Sequence, residues 1–268
     1  MHLDILKRKL APVLPEAWKY IDAEAARVLT LDLAARKLVD FDGPHGWRHA
    51  AVNTGRLDLF AQDPVPEVRA GVRRVQPLVE LRTPFRLDSM ELDSVARGET
   101  DPELDAVVKA AERMAHAEDH AVFNGYPGAG ITGIVEASPH PRQTLRDPLS
   151  YPRVLLEAKE VLRAAGINGP YGLALGLRAY EEVYTATEDG HPILRTIERI
   201  VEGPIVRARG LAGAVLMSVR GGDYQLTVGQ DHSVGYAYHE KTWIELYLTE
   251  SFTFRILEPA AAVVLTQP

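Results

Sequence analysis

Cysteine is missing altogether. That excludes disulfides, thiolate metal centres and cysteine nucleophiles in one step, and it fits a reducing cytoplasm. Long apolar runs are missing too. The most apolar stretch, Ala260-Ala261-Ala262-Val263-Val264-Leu265, falls far short of the roughly 18 residues of a membrane span. The N-terminus, Met1-His2-Leu3-Asp4-Ile5-Leu6-Lys7-Arg8, is charged and lacks the apolar segment of a secretory signal. An excess of positive charge is the third absence. Thirty Lys and Arg stand against 37 Asp and Glu, a formal net charge of −7, so general binding to nucleic acid through phosphate neutralisation is not expected. These absences together predict a soluble, cytoplasmic chain without membrane or nucleic-acid partners.

Catalytic signatures are sparse as well. No serine lies in a G-x-S-x-G turn, and Ser218 and Ser233 fall in segments that read as strands. His116 and His120 stand at i, i+4 on a predicted helix, the spacing of a bis-imidazole metal pair. The zinc-protease pattern needs glutamate directly after the first histidine, or directly before the second in its inverted form. Ala117 and Asp119 occupy those positions, and no obvious third ligand follows. This stretch therefore reads as a solvated helix face. Gly125-Tyr126-Pro127-Gly128-Ala129-Gly130-Ile131-Thr132-Gly133 follows a helix rather than a strand and lacks a Gly-Lys-Ser/Thr ending. It is read as a loop whose glycines permit close backbone approach rather than as a phosphate cradle. No catalytic residue, metal site or cofactor is expected.

What is present is a chain of 268 residues, 46% hydrophobic and 25% charged, large enough for one big domain or two lobes. Leu3, Leu6 and Leu10 sit at helical spacing in a basic arm that ends at Pro12. A helix is predicted from Pro15-Glu16, because proline suits the first helical position and glutamate its positive end. Trp18, Ile21, Ala25 and Val28 make its apolar face. Residues 48–77 differ: few large apolar side chains, two prolines at Pro64 and Pro66, and five arginines from Arg48 to Arg74. Such a segment cannot bury much of itself and is either a disordered loop or one that needs an outside partner. A second helix is predicted from Asp101-Pro102-Glu103 to about Phe123 and a third from Tyr151 to Ala165, stopping at Gly166.

Strands follow Gly169-Pro170: Tyr171 to Leu175, Ala212 to Val219, and a segment in which Tyr224, Leu226 and Val228 alternate with Gln225 and Thr227, predicting one solvated face. Ile244, Leu246, Leu248, Phe252, Phe254 and Ile256 share one parity, and Glu250 falls on it. Either a bulge turns Glu250 outward or it is a buried carboxylate paired with an arginine; a break in register is the commoner arrangement.

The run Arg220-Gly221-Gly222-Asp223-Tyr224, Val228-Gly229-Gln230-Asp231, Gly235-Tyr236 and Thr249-Glu250-Ser251-Phe252-Thr253-Phe254, with Phe41-Asp42-Gly43-Pro44-His45-Gly46-Trp47 upstream, resembles the encapsulins. These are bacterial shell proteins that self-assemble into hollow icosahedral compartments. The resemblance runs from Leu6-Lys7-Arg8 to Phe252-Thr253-Phe254 and implies an α+β fold of the tailed-bacteriophage major-capsid type, with no enzymatic activity. It implies an N-terminal helical arm over 1–47, an extended loop over 48–77 that lies on the adjacent subunit, a peripheral domain over 78–140 and 250–268, and an axial domain over 141–249. It also implies about 60 self-associating subunits. The cargo would be an enzyme with a terminal targeting peptide, ferritin-like (hence iron storage) or a dye-decolourising peroxidase.

By the same resemblance, the cargo peptide docks at Arg36, Lys37, Asp40, Val234 and Tyr236, with Gln230 and Asp231 setting the turn. Arg36 and Asp40 would satisfy its backbone. His232 stands where the family usually has leucine. The turn Glu188, Asp189, Gly190 and His191 takes the place of the loop around the five-fold pore, where repeated acids would attract cations and the histidine would titrate. Met90 stands where some encapsulins carry a flavin-stacking tryptophan, so no flavin is expected by that route. The alternative is a prophage major capsid protein that packages DNA.

Overall fold

The computed structural model describes residues 4–267. The described residues ahead of Pro12 form no α-helix. Lys7 turns at φ 52° and a single 3-10 turn covers Arg8–Leu10. The arm is tied down instead by Tyr236 N donating to Leu6 O (2.8 Å) and Tyr247 Oη donating to Ile5 O (3.1 Å). The helical spacing of Leu6 and Leu10 has no packing consequence, since Leu10 is 69% exposed; Leu3 lies outside the described residues. Helix α1 (Pro15–Asp32) opens on the expected proline and buries Trp18, Ile21, Ala25 and Val28 as their spacing predicts.

Strand β1 (Asp40–Asp42) precedes a long hairpin of β2 (Ala51–Leu59) and β3 (Gly71–Pro77). The hairpin is antiparallel from Ala51↔Pro77 to Leu59↔Gly71, with a register shift between Asn53 and Leu57. None of the residues in these two strands is buried within the chain. Segment 48–77 is thus ordered hairpin rather than coil. Strand β4 (Val79–Asp88) returns to the body and leads to α2 (Ser89–Ala96), capped by the Asp88 carboxylate accepting from Met90 N. Helix α3 (Asp105–Asn124) starts later than Asp101-Pro102-Glu103 predicts. The amides of Thr100 and Asp101 donate to the Glu99 side chain and that of Glu103 to Glu91, so this backbone is satisfied outside a helix.

The glycine-rich loop is carried between β5 (Gly125–Tyr126) and β6 (Ile131–Thr132). Gly133 packs so closely on the backbone of Asn124 and Gly125 that any Cβ would overlap it, the close approach the glycines predict. Then come α4 (Ile134–Ala137), β7 (Gln143–Thr144) and α5 (Tyr151–Ala164). Next are β8 (Tyr171–Leu175), α6 (Leu177–Thr185), the tight hairpin of β9 (Thr187–Glu188) and β10 (His191–Pro192), and α7 (Ile193–Val201). The chain closes with β11 (Ile205–Arg207), β12 (Ala214–Ser218), β13 (Tyr224–Val228), β14 (Ser233–His239), β15 (Trp243–Ile256) and β16 (Ala262–Thr266).

Two five-stranded sheets organise these elements. In the first, β15 is the shared partner. It pairs with β4 over ten positions, from Trp243↔Asp88 to Phe252↔Val79, while its other edge takes β14 and then β13, on whose far side β1 lies parallel. Helices α1 and α3 pack on this sheet through Ile21, Met114, Phe85 and Leu246. The second sheet runs β11-β8-β12-β16-β7. Every residue of β8 and β12 is buried, with Leu155, Ala179 and Ile197 from α5, α6 and α7 in the same core. That two-sided burial explains why these strands are continuous apolar runs rather than alternating ones.

Three sequence expectations change at this level. Thr227 is only 1% exposed and its Oγ1 donates to Asp42, while Gln225 is half-buried; the expected solvated face of β13 is largely covered. Residues 250–268 do not stay together. The apolar run of β16 takes β12 and β7 as its edge partners in the second sheet, whereas β15 pairs with β4 in the first. Nor do 141–249 form one unit, since β13 and β14 belong to the sheet of β4. Finally, Glu250 keeps the β15 register opposite Leu81 and is fully buried. The register break lies on the partner strand, between Tyr236 and Tyr238, so Glu250 is the buried carboxylate.

Gly213, at φ 80°, marks a tight junction of the second sheet: a Cβ there would overlap the Leu265 carbonyl oxygen. Gly213→Ala should therefore cost about 2 kcal/mol or more through strain and clash, read as a lowered midpoint in guanidinium unfolding. An unchanged midpoint would show that β16 can move aside freely.

Candidate functional site

Several chain segments converge beside the C-terminal half of α1. Its residues Ala25, Ala26, Leu29 and Leu33, the arm residues Leu6 and Arg8, the turn Arg36-Lys37, and Asp231 to Val234 at the start of β14 line an open groove of about 560 Å³. Its wall is apolar, from Leu29, Leu33, Val234 and Leu248, and its rim is charged, from Arg8, Asp22, Lys37 and Asp231. Arg8 is held over the Trp18 ring at 4.0 Å and pairs with Asp22 at 2.7 Å, so the arm forms one fixed side.

The floor is polar. Arg36 donates to Glu118 on α3 (2.6 Å to Oε2), to Asp231 Oδ1 (2.8 Å) and to Glu250 Oε2 on β15 (3.3 Å). Glu118 and Glu250 are both fully buried. Burial alone would raise the Glu118 carboxyl, but the neighbouring His232 and the Arg36 guanidinium hold it down at about 2. Burial, reinforced by the adjacent Glu118 charge, pushes Glu250 well above the usual carboxylate range. Two buried carboxylates thus share one guanidinium: Glu118 is ionised and Glu250 favours its proton. Burial opposes the charge on Arg36, yet hydrogen bonding and charge from Glu118 leave it more firmly protonated than an ordinary arginine. Asp119 turns the other way from Glu118 and accepts from Ala34 N (3.0 Å) and Ala35 N (2.8 Å), fixing the turn that presents Arg36. Burial nonetheless pushes its carboxyl up to about 7.

Of the residues expected to dock a cargo peptide, the structure brings Arg36, Lys37, Asp231, His232 and Val234 to the groove. It does not bring Asp40, whose carboxylate accepts from Gly222 N (2.6 Å) across the β1 edge. Gln230 sets the turn through Ser233 Oγ (2.8 Å). Tyr236 lies beyond the groove and bonds His239 Nδ1. Arg36 lines the groove while paired with carboxylates of its own chain. Lys37 Nζ donates to Leu31 O (3.0 Å) at the end of α1.

Glu118 is the residue that sequence reading missed. His116 and His120 are exposed on α3, as a solvated face predicts, but Glu118 and Asp119 between them are buried. The signal was available: Glu118 stands four residues from both Met114 and Val122 in the apolar stripe of α3, as Glu250 stands on the apolar parity of β15. The acidic turn lies elsewhere, on the second sheet's side. Glu188 pairs with His191, and Asp189 (φ 49°) and Gly190 (φ 81°) make the two-residue turn; all four are exposed. Met90 is 74% exposed at the start of α2.

Arg36→Met would leave Glu118 and Glu250 facing each other without a counter-charge. It should cost about 3–5 kcal/mol, measured by guanidinium unfolding, and much of that loss should return when Glu118→Gln and Glu250→Gln are added. Full stability in the single variant would mean that water, not Arg36, solvates the pair.

The family described as "Encapsulating protein for peroxidase" matches residues 3–253. A type 1 encapsulin shell protein from Rhodospirillum rubrum is 48% identical over 267 residues, spanning 97% of this chain and 95% of that protein. Among solved structures, the virus-like particle from Pyrococcus furiosus superposes with a TM-score of 0.64 at 16% identity, covering 93% of this chain and 99% of that one. A chain of Microbacterium phage Oxtober96 superposes at 0.58 with 12% identity, covering 86% and 90%. The fold is the α+β capsid fold shared by phage heads and virus-like particles, and the near full-length match makes this chain a member of the encapsulins, a family of shell proteins rather than enzymes.

Proposed function

We propose that copies of this chain close into an icosahedral shell of about 60 subunits that houses an enzyme and passes ions and small molecules through its pores. The β2–β3 hairpin carries this reading. Leu57, Leu59, Phe60 and Val72 are 54–61% exposed on a two-stranded ribbon that buries nothing of its own. An isolated ribbon of this kind is marginal in water, and apolar side chains displayed this way suit a neighbouring subunit. The groove beside α1 is the docking place for the cargo's targeting peptide. Its apolar wall takes aliphatic side chains, and the edge of β14 and the arm offer fixed polar groups. The family's description as encapsulating a peroxidase supports a dye-decolourising peroxidase as cargo, with a ferritin-like iron oxidase as the other expectation. Around a five-fold axis, the Glu188–Asp189 turn would make a negative ring that favours cations, with His191 beside it. A cytoplasmic compartment suits a chain without cysteine. DNA packaging has the weaker support: the fold is shared with phage capsids, but the relatives matching at high identity are shell proteins.

Deleting residues 58–69 should leave a folded protomer that assembles poorly, seen as an unchanged circular dichroism spectrum with loss of the megadalton light-scattering peak. Intact particles from that deletion would remove the interlocking role of the hairpin. Ala26→Trp, which fills the groove from an exposed position on α1, should leave particles whole and cut cargo co-purification at least about tenfold, the loss expected when an anchor pocket worth about 1.4 kcal/mol or more is blocked. Undiminished cargo would place docking elsewhere on the wall.

A further inference from the structure

The floor of the groove holds one imidazole without a hydrogen-bond partner. His232 is 7% exposed through its side chain, yet neither ring nitrogen has a hydrogen-bond partner. Buried imidazoles are ordinarily satisfied. Its Nε2 points instead between two buried carboxylates, 3.4 Å from Glu250 Oε2 and 3.6 Å from Glu118 Oε2, too long for hydrogen bonds. Glu250 Oε1 is buried without a partner as well. One ligand atom from each of Glu118, His232 and Glu250 lies within 4.8 Å of the other two, the one such grouping among the described residues.

The two separations from His232 suit a cation. Imidazole nitrogen and carboxylate oxygen ligate first-row ions at about 2.0–2.2 Å, so donors sharing one ion stand about 3.0–3.6 Å apart. Charge suits it too. Arg36 is the single fixed positive charge at the cluster, while Glu118, Glu250 and Asp231 all lie within its reach. A bound divalent ion would balance that excess. Arg36 Nη2 lies 2.6 Å from Glu118 Oε2 and 3.3 Å from Glu250 Oε2; with an ion bound, its contact to Asp231 (2.8 Å) remains to hold it. One nitrogen with two carboxylates is a donor set for Zn²⁺, Mn²⁺ or Fe²⁺ rather than for Ca²⁺ or Mg²⁺, which take oxygen ligands.

We propose that Glu118, His232 and Glu250 form a site for one first-row divalent cation per chain, entered from the groove that His232 lines. Because the three ligands come from α3, the turn before β14 and β15, the ion would clamp the helix to the sheet beneath the groove. The site stands independently of whether the groove docks cargo.

Chelator-stripped protein titrated calorimetrically with ZnCl₂ and with MnCl₂ tests it. About one Zn²⁺ per chain should bind, and His232→Leu and Glu250→Gln should each weaken binding by at least about tenfold. The double variant His116→Gln, His120→Gln on the exposed helix face should leave it unchanged. Zinc-edge X-ray absorption of the wild-type protein supplies a readout that needs no variant: one imidazole and oxygen donors are expected. Absence of stoichiometric binding, equal affinity in His232→Leu, or loss of binding in the His116/His120 variant would each overturn the site.

Discussion

Arg36 is the contact on which the rest of the molecule depends. One guanidinium ties the turn after α1 to α3 through Glu118, to β15 through Glu250, and to the turn before β14 through Asp231. Each link joins residues far apart in sequence, so the node forms only when helix and sheet are in place together. Placing charges in the interior costs several kcal/mol per ion before attraction and hydrogen bonding offset it. The node therefore contributes less to net stability than to uniqueness: any slip of α3 along the sheet, or of β15 by one residue, would leave a buried carboxylate alone. Asp119 strengthens the same geometry by holding the amides of Ala34 and Ala35, which aims Arg36 inward.

Around that node the structure divides into what the chain completes itself and what it leaves open. The second sheet is complete: β8, β12 and β16 are covered on both faces by helices and neighbours. The first sheet is complete at β15, which finds partners along both edges. The β2–β3 hairpin is the opposite, a ribbon with apolar side chains and arginines and no buried residue of its own. A shell needs this asymmetry. Protomers must be rigid enough to repeat one geometry many times, yet must keep surfaces whose burial waits for a neighbour.

How legible this was in the sequence depends on which interactions are local. Helix α1 could be read because its proline, glutamate and apolar spacing lie within one segment. Strands β8 and β12 could be read because they are buried runs between turn residues. The late start of α3 could not, since it depends on Glu91 and Glu99 reaching the amides of residues 100–103, a competition that propensity does not reveal. The division of residues 141–268 between the sheets was equally hidden, because β16 and β15 are near in sequence but pair with strands far from each other in the chain. Glu118 and Glu250 each carried the same visible sign, a carboxylate on an apolar face. Read separately, one left a bulge and a pairing with an unnamed arginine both open and the other suggested nothing; their meaning appears only when Arg36 stands between them.

His232 brings a further polar residue into this arrangement. An aliphatic side chain at that position would close the groove floor over the two carboxylates and leave them to Arg36 alone. An imidazole of similar bulk adds two nitrogen atoms that the surrounding groups do not satisfy, in a place where burial makes an unmet polar atom costly. The fold accepts this because the cluster already carries more negative than positive charge. The unmet nitrogen and the excess charge are complementary demands, and a single divalent ion answers both. The same node that fixes the register of helix and sheet thereby becomes a place where the groove's floor can respond to the metal content of its surroundings.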